Sequence, residues 1–313
     1  MISYNPIIQT LTVDSTLHLD VLRLDVLHEH ISGNKWFKLK RNLDEARVKK
    51  LETILTFGGA FSNHIAATAA ACKELKFKSI GIIRGEEKDI CNPTLKQARE
   101  NGMQLHFVSR ELYAQKEELF FQKYVEDNFG DCHIIPEGGN NVQGLLGCKE
   151  ILKAEWHYDY IFCACGTGTT FAGILSSKKP GQVVVGISVL KGENKMTKDV
   201  ERLLRSSEVL SNKRIRGNEI LEKNILDEDC ILNTYAFKGY AKYEQHLADF
   251  KTMFESVNNF KLDHVYTTKL FFAVFDLLAK EKLRQNSKVL LIHSGGLQGN
   301  KGFEERYHLI PSL

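Results

Sequence analysis

The sequence has no long apolar run. None of its stretches approaches the ~20 residues that a membrane-spanning helix needs, so no membrane partner is expected. Charge of one sign is also scarce. The formal net charge is +3, which argues against a nucleic-acid or membrane-surface protein. Short basic runs at 47–50 and 176–181 read as solvated surface. An even cysteine framework is missing: seven cysteines are scattered over 313 residues, so disulfides are not expected and a reducing cytoplasm fits. Cys163 and Cys165 are the one close pair. A zinc site wants a second Cys/His pair at suitable spacing, and none is visible, so no metal is expected. The opening MISYNPIIQTLTVDS has no basic segment leading into an apolar one, so no signal peptide is expected. Pro- or Gly-rich linkers, low-complexity tracts and fixed-period repeats are absent, and composition therefore marks no domain boundary.

Enough apolar material is present for a sizeable core. The hydrophobic fraction is 43%, and the length allows one large or two modest domains at roughly 100–200 residues each. Strand-like and helix-like segments alternate along the chain. Strands are expected at 17–27, 52–59, 78–85, 103–109 and 132–135, then at 158–165, 182–190 and 288–293. Helices are expected at 36–50, from the Ser62 cap to 75, at 92–102 behind an Asn92 cap, at 110–130, from 170 to 177, at 194–207 and at 269–283. Continuous apolar strands alternating with helices imply an α/β fold with parallel-rich sheets covered by helices on both faces. Residues 206–228 are charged and irregular and read as an exposed excursion.

Three strands run into glycine loops: FGGAFSN (57–63), CGTGTTFAG (165–173) and HSGGLQGN (293–300). In parallel α/β proteins, ligands bind beyond the carboxyl ends of strands. The middle loop combines backbone amides freed by glycine, threonine hydroxyls and a helix N-terminus, which together suit a phosphate. It does not match the nucleotide fingerprints, since Phe171 stands where G-x-G-x-x-G needs a small residue and no G-K-[ST] follows. A tight strand-to-helix turn is the plainer alternative. A second unusual stretch is HISGNKWFKLKRNL (30–43), where Lys35 sits in a Ser-Gly-Asn turn at the mouth of a helix. A phosphate loop without a nucleotide signature, together with a lysine in a turn, points to pyridoxal 5'-phosphate, whose Schiff base requires a lysine. In FGGAFSNH, Ser62 reads as an N-cap, with Asn63 and His64 placed to point donors outward from the first turn.

The ordered set SGNKWFKL, GGAFSNH, GTGTT with AG, GYAKY, VYTTK and HSGG resembles the 1-aminocyclopropane-1-carboxylate (ACC) deaminase and D-cysteine desulfhydrase family. The likeness runs from about residue 20 to 305. It implies a two-domain fold-type II pyridoxal-phosphate enzyme, similar to the tryptophan synthase β-subunit. A large cofactor-binding domain would be made of 1–37 and 148–313, and a small inserted α/β domain of 38–147. A homodimer is implied as well.

The resemblance also implies roles. Lys35 would carry the cofactor, next to Asn34, with Lys38 structural. Asn63 would meet the ring hydroxyl, and Ser62 the substrate carboxylate or a proton in transfer, with His64 beside them. Thr167, Gly168, Thr169 and Thr170 would hold the phosphate. Tyr240 and Tyr266 would be the active-site tyrosines.

Two positions separate the branches. Where ACC deaminases have Glu facing the ring nitrogen, this chain has Thr267. Where they have Leu before the C-terminal Gly-Gly, it has Ser294. Both look like the D-cysteine desulfhydrase branch. A carboxylate keeps the ring nitrogen protonated, whereas a hydroxyl cannot stabilise that charge. The expected activity is conversion of D-cysteine to pyruvate, sulfide and ammonia, or the equivalent reaction of a related small D-amino acid with a β-leaving group. Alternatives are opening of the ACC ring to 2-oxobutanoate and ammonia, and a non-catalytic cofactor- or anion-binding protein. The chain departs from the family in reading NPIIQTL where a T-P-L motif is usual and RLDVLH where K-R-D-D is common.

Overall fold

The computed structural model describes residues 3–13, 16–86, 92–192, 195–207, 215–222 and 225–309. The chain opens with β1 (Ile8–Leu11), β2 (His18–Arg23) and α1 (Asn34–Val48). It continues through β3 (Thr53–Gly59), α2 (Asn63–Leu75), β4 (Lys78–Arg84), α3 (Pro93–Glu100) and β5 (Met103–Val108). Then come α4 (Arg110–Ala114), α5 (Leu119–Phe129), β6 (His133–Ile135), α6 (Val142–Cys148), β7 (Tyr160–Cys165), α7 (Thr169–Ser177) and β8 (Val183–Ser188). The last elements are α8 (Lys195–Ser206), β9 (Cys230–Leu232), α9 (Gln245–Val257), α10 (Thr267–Ala279), β10 (Lys288–His293) and α11 (Gly299–Arg306).

Two sheets result. One has six strands in the order β1-β2-β10-β7-β8-β9, and the other four in the order β5-β4-β3-β6. Every pairing is parallel except that of the edge strand β1 with β2. The central strands β7 and β8 are buried at every position, as continuous apolar strands covered on both faces must be. One face of the six-stranded sheet packs on α9 and α10 through Phe254, Phe271 and Leu270. The other packs on α7 and α8 through Phe171, Ile174 and Val200. The chain leaves this sheet after β2, builds the four-stranded sheet, and returns through α6. Helices α1 and α6 meet backbone to backbone: a Cβ on Gly147 would lie 1.8 Å from the Phe37 carbonyl oxygen. Among the described residues, no helix is long and apolar enough to cross a membrane.

Some expected elements differ. The helix expected over 110–130 is two helices, because Ser109 caps the first and the chain turns at 115–118. That turn brings Lys116 to 3.4 Å from Glu137 and over the Tyr113 ring at 4.8 Å. The strand expected over 17–27 stops at Arg23, and Leu24–Val26 form a 3-10 turn whose Leu24 carbonyl accepts from the Gly33 amide at 2.9 Å. Of the excursion expected over 206–228, residues 208–214 and 223–224 lie outside the described residues. The described part holds a bridge from Arg216 to Cys230 and a 3-10 turn over Asn218–Glu222.

Candidate active site

The glycine loops named from the sequence converge at the carboxyl ends of β3, β7 and β10. Gly33, with φ +72°, touches the loop after β10 so closely that a Cβ would lie 1.9 Å from the Ser294 carbonyl oxygen. The Asn34 amide donates to that same oxygen at 3.2 Å. This contact fixes the start of α1, and Lys35 is its second residue. Lys35 is half-buried. Burial, and next the nearby Lys38, push its amine well below the ordinary lysine range.

Lys38 lies one turn on, on the same helix face. It is buried, and no carboxylate lies within ion-pair distance among the described residues. Its Nζ is 3.3 Å from Thr167 Oγ1. Burial pushes this amine below the ordinary lysine range, and an anion from outside the chain would stabilise its charged form. The resemblance implies a structural role for Lys38; its contact with Thr167 places it beside the glycine loop.

The loop from β7 to α7 faces Lys38. Gly168 takes φ +76°, and a Cβ there would sit 2.3 Å from Val200 Cγ2. Thr167 and Thr169 hydroxyls are 3.0 Å apart, Thr169 donates to Asn140 Oδ1 at 2.9 Å, and Thr170 Oγ1 accepts from Asn34 Nδ2 at 2.8 Å. Asn34 therefore braces the loop through Thr170. The loop 137–140 closes the other side: a Cβ on Gly138 would meet Thr167 at 2.8 Å, and one on Gly139 would meet Lys38 at 2.9 Å. Helix α7 has no side-chain cap, which leaves its first amides for an anion. A buried lysine, uncapped helix amides, hydroxyls and a cradle that Cβ atoms would fill together fit the phosphate of pyridoxal 5'-phosphate.

At the start of α2, Ser62 Oγ accepts from the Ile65 amide at 3.3 Å. It acts as the N-cap and keeps its own proton. Asn63 Oδ1 accepts from Gln298 Nε2 at 2.5 Å, and its Nδ2 stands against Gly296, where a Cβ would approach to 2.6 Å. Gln298 lies outside the residues that the sequence motifs point to.

His64 does not point outward as expected. Its ring is 2% exposed and turns into the sheet, with Nε2 at 2.8 Å from Thr56 Oγ1. Thr56 gives its one proton to the Ile135 carbonyl at 2.8 Å, so Nε2 is the donor and Nδ1 is bare, without a partner. Burial, then Lys35 and Lys38, hold this imidazole neutral, well below the usual histidine range. An apolar helix–sheet interface turns the side chain inward, leaving only its backbone amide in the first turn.

The two tyrosines come together. Their phenol oxygens are 3.5 Å apart and their rings meet edge to face. Tyr266 lies on the glycine loop, so that a Cβ on Gly166 would be 2.9 Å from its ring. Burial, and next Tyr240, push the Tyr266 phenol well above its ordinary value. A cleft is lined by Phe61, Asn63, Tyr240, Tyr266, Gly296 and Phe303.

Asp263, not anticipated from the sequence, orders this corner. Its Oδ1 accepts from the amides of Val265 at 2.9 Å and Tyr266 at 2.7 Å. Its Oδ2 accepts from the Thr267 amide at 2.8 Å and the Thr267 hydroxyl at 2.7 Å. The Thr267 hydroxyl has thus committed its only proton to Asp263. Ser294 is 8% exposed, and its hydroxyl has no hydrogen-bond partner among the described residues.

Comparison with known proteins places the chain in a family. A Thermotoga maritima protein provisionally named 1-aminocyclopropane-1-carboxylate deaminase is 31% identical over 86% of this chain and 85% of its own length. The Arabidopsis thaliana bifunctional D-cysteine desulfhydrase/1-aminocyclopropane-1-carboxylate deaminase is 28% identical over 89% of this chain and 72% of its own. A crystal structure of an ACC deaminase homologue superposes with a TM-score of 0.82 at 26% identity, covering 99% of this chain and 95% of that one. The family model for pyridoxal-phosphate dependent enzymes matches residues 5–295. The chain therefore belongs to the pyridoxal-phosphate dependent enzymes, in the fold-type II group that holds ACC deaminase and D-cysteine desulfhydrase.

Proposed function

We propose that the protein converts D-cysteine and water to pyruvate, sulfide and ammonia. The observation that carries this reading is at Thr267. Where the ring-opening branch has a glutamate, this chain has a hydroxyl whose proton is bonded to Asp263. Ser294 lies in the loop whose Gly296 stands against Asp263 and has an uncommitted hydroxyl; we assign the ring-nitrogen contact to it, with Thr267 and Asp263 behind.

The remaining roles follow from the contacts. Lys38 and the loop Thr167-Gly168-Thr169-Thr170, braced by Asn34, hold the phosphate. Asn63 Nδ2 meets the ring hydroxyl. The amides of Asn63 and His64 at the start of α2, with the Ser62 hydroxyl, receive the substrate carboxylate. Bound cofactor supplies an electron sink next to the substrate α-carbon. Lys35, whose amine burial pushes well below the ordinary lysine range, takes the α-proton. Tyr266, held protonated, gives a proton to the departing sulfur, with Tyr240 beside it. We also propose that the two sheets are the cores of domains 1–37 with 148–313 and 38–147, and that the protein works as a cytoplasmic homodimer. Its thiols, unpaired among the described residues, suit a reducing compartment.

The test is 2-oxo acid release by the purified protein, with D-cysteine and ACC assayed side by side. Pyruvate and sulfide from D-cysteine, without 2-oxobutanoate from ACC, are the expected products. Because the relatives named above carry ACC deaminase in their names, the second reading is ring opening. Turnover of ACC at a kcat/KM equal to or above that of D-cysteine would replace the first reading by the second.

Lys38 makes a separate prediction. Lys38→Met should weaken pyridoxal 5'-phosphate binding by about ten- to a hundredfold, the effect of one charge-assisted contact. Affinity for pyridoxal, which lacks the phosphate, should stay the same. Absorbance titration of the apoprotein with each compound measures both, and equal losses for the two would remove Lys38 from the phosphate site.

A further inference from the structure

Tyr240 stands in a loop whose backbone is unfavourable by itself. Phe237 has φ +51°, Gly239 φ +103° and Ala241 φ +49°, three left-handed residues in five, two of them not glycine. Such a path persists only where its surroundings over-determine it. Three helices supply that constraint. The Lys238 amide donates to Glu244 Oε1 at 2.6 Å, beside the start of α9. The Ala241 carbonyl accepts from Tyr307 Oη at 2.9 Å, just past α11. The third hold comes from α10, where Lys269 Nζ donates to the carbonyls of Ala236 at 2.7 Å and Gly239 at 2.8 Å.

Lys269 is an unusual choice for this place. It is 1% exposed, and no carboxylate lies within ion-pair distance among the described residues. Burial brings its amine down to about 8, with Glu244 and Asp263 acting in the opposite sense. An apolar side chain would fill the volume without that desolvation. What the ammonium adds is two charge-assisted bonds to the turn that precedes Tyr240. The Ala236 carbonyl also accepts from the Gly239 amide at 2.9 Å, so both ends of the turn are tied to one atom of α10. One turn further, Phe272 packs edge-on against Phe237, with centroids 5.5 Å apart. Helix α10 also carries Tyr266 at its N-cap, three residues before Lys269.

We propose that Lys269 is a positioning residue: it clamps the 236–239 turn so that α10 sets both phenols of the Tyr240–Tyr266 pair, one directly and the other through the ammonium. This rests on the reading of Tyr240 as part of the proton-donating pair. The test combines hydrogen exchange with a double-mutant cycle. In Lys269→Met, exchange of the amides in 234–241 should accelerate about tenfold or more, the scale of one lost charge-assisted bond. Turnover should fall about ten- to a hundredfold in kcat with KM little changed. In a Tyr240→Phe background the same substitution should cost almost nothing further. Lys269→Gln, which keeps two N–H donors, should recover part of the loss, and it carries the exchange measurement if the methionine variant does not fold. Unchanged exchange in a folded variant, or losses that multiply in the Tyr240→Phe background, would overturn the proposal. The exchange arm needs no turnover, so it decides the clamp even if D-cysteine proves not to be the substrate.

Discussion

Lys35→Met is expected to abolish 2-oxo acid release, by about 10³-fold or more, while making the apoprotein harder to unfold. The first half follows from the two roles assigned to one amine. It anchors the cofactor and takes the α-proton, and loss of a positioned base alone costs about 10²–10⁴-fold. The second half follows from where the amine sits. Burial and the neighbouring Lys38 disfavour its charged form, so folding works against its protonation. Across the window between the lowered folded value and the ordinary lysine value of 10.5, the unfolded chain binds more protons than the folded one. Apoprotein stability contributed through this group therefore rises with pH in that window and is lowest and flat below it, where the amine is charged in both states. Methionine fills the same volume without a charge to desolvate. Urea unfolding of the two apoproteins at several pH values reads this directly: the variant should have the higher midpoint on the acid side and a shallower rise with pH. The slope should not vanish, because Lys38 is buried in the same way. A variant with full turnover, or one less stable than the parent on the acid side, would remove Lys35 from the role given to it.

Much of this site was legible because its parts are local. Gly33, Asn34 and Lys35 sit in one turn, and Ser62 and Asn63 at one helix start. Thr167–Thr170 follow one strand, and strand ends in a parallel sheet point to one edge. Each motif announces itself within a few residues, and topology then brings the motifs together. What stayed hidden depends on distant partners. Gly144 and Gly147 obscure α6, since glycine lowers any helical expectation. Their reason is contact with the Gly139 and Phe37 carbonyl oxygens, across which no Cβ would fit. His64 gave no sign that its ring would turn inward to Thr56, eight residues back in sequence but adjacent across the helix–sheet interface. Lys269 reads as one more lysine on an amphipathic helix, and only the folded turn at 236–239 reveals two carbonyls beneath it. Asp263 precedes its helix by four residues, further than an ordinary N-cap, because a loop folds back over its carboxylate.

Asp263→Ala is expected to destabilise the protein by about 3–5 kcal/mol, a loss of roughly 10 °C in melting temperature for a chain of this size. The carboxylate is 2% exposed. It satisfies three backbone amides, of residues 265, 266 and 267, and the Thr267 hydroxyl. The alanine leaves these donors at the start of α10 without an acceptor. An orphaned buried donor costs about 1–3 kcal/mol and loss of a cap about 0.5–2 kcal/mol; partial access of water near the half-buried Tyr266 keeps the total below their sum. The effect should not stop at stability. Tyr266 takes its place from the bond between its amide and Asp263 Oδ1, so its phenol should shift relative to Tyr240 and the glycine loop, and kcat should fall. Asp263→Asn separates the two consequences. It retains one acceptor oxygen, so its melting temperature should lie between those of parent and alanine variant. It also removes a negative charge that helps hold the Tyr266 phenol above its ordinary value. The phenol should therefore lose its proton at lower pH in the asparagine variant, and the alkaline fall in kcat should begin earlier. Calorimetry and a pH–rate profile on the same three proteins give both readings. If the alanine variant melts within a degree or two of the parent, the carboxylate does not organise α10. If the asparagine variant keeps the parent's alkaline limb, Tyr266 is not the acid whose proton is lost there.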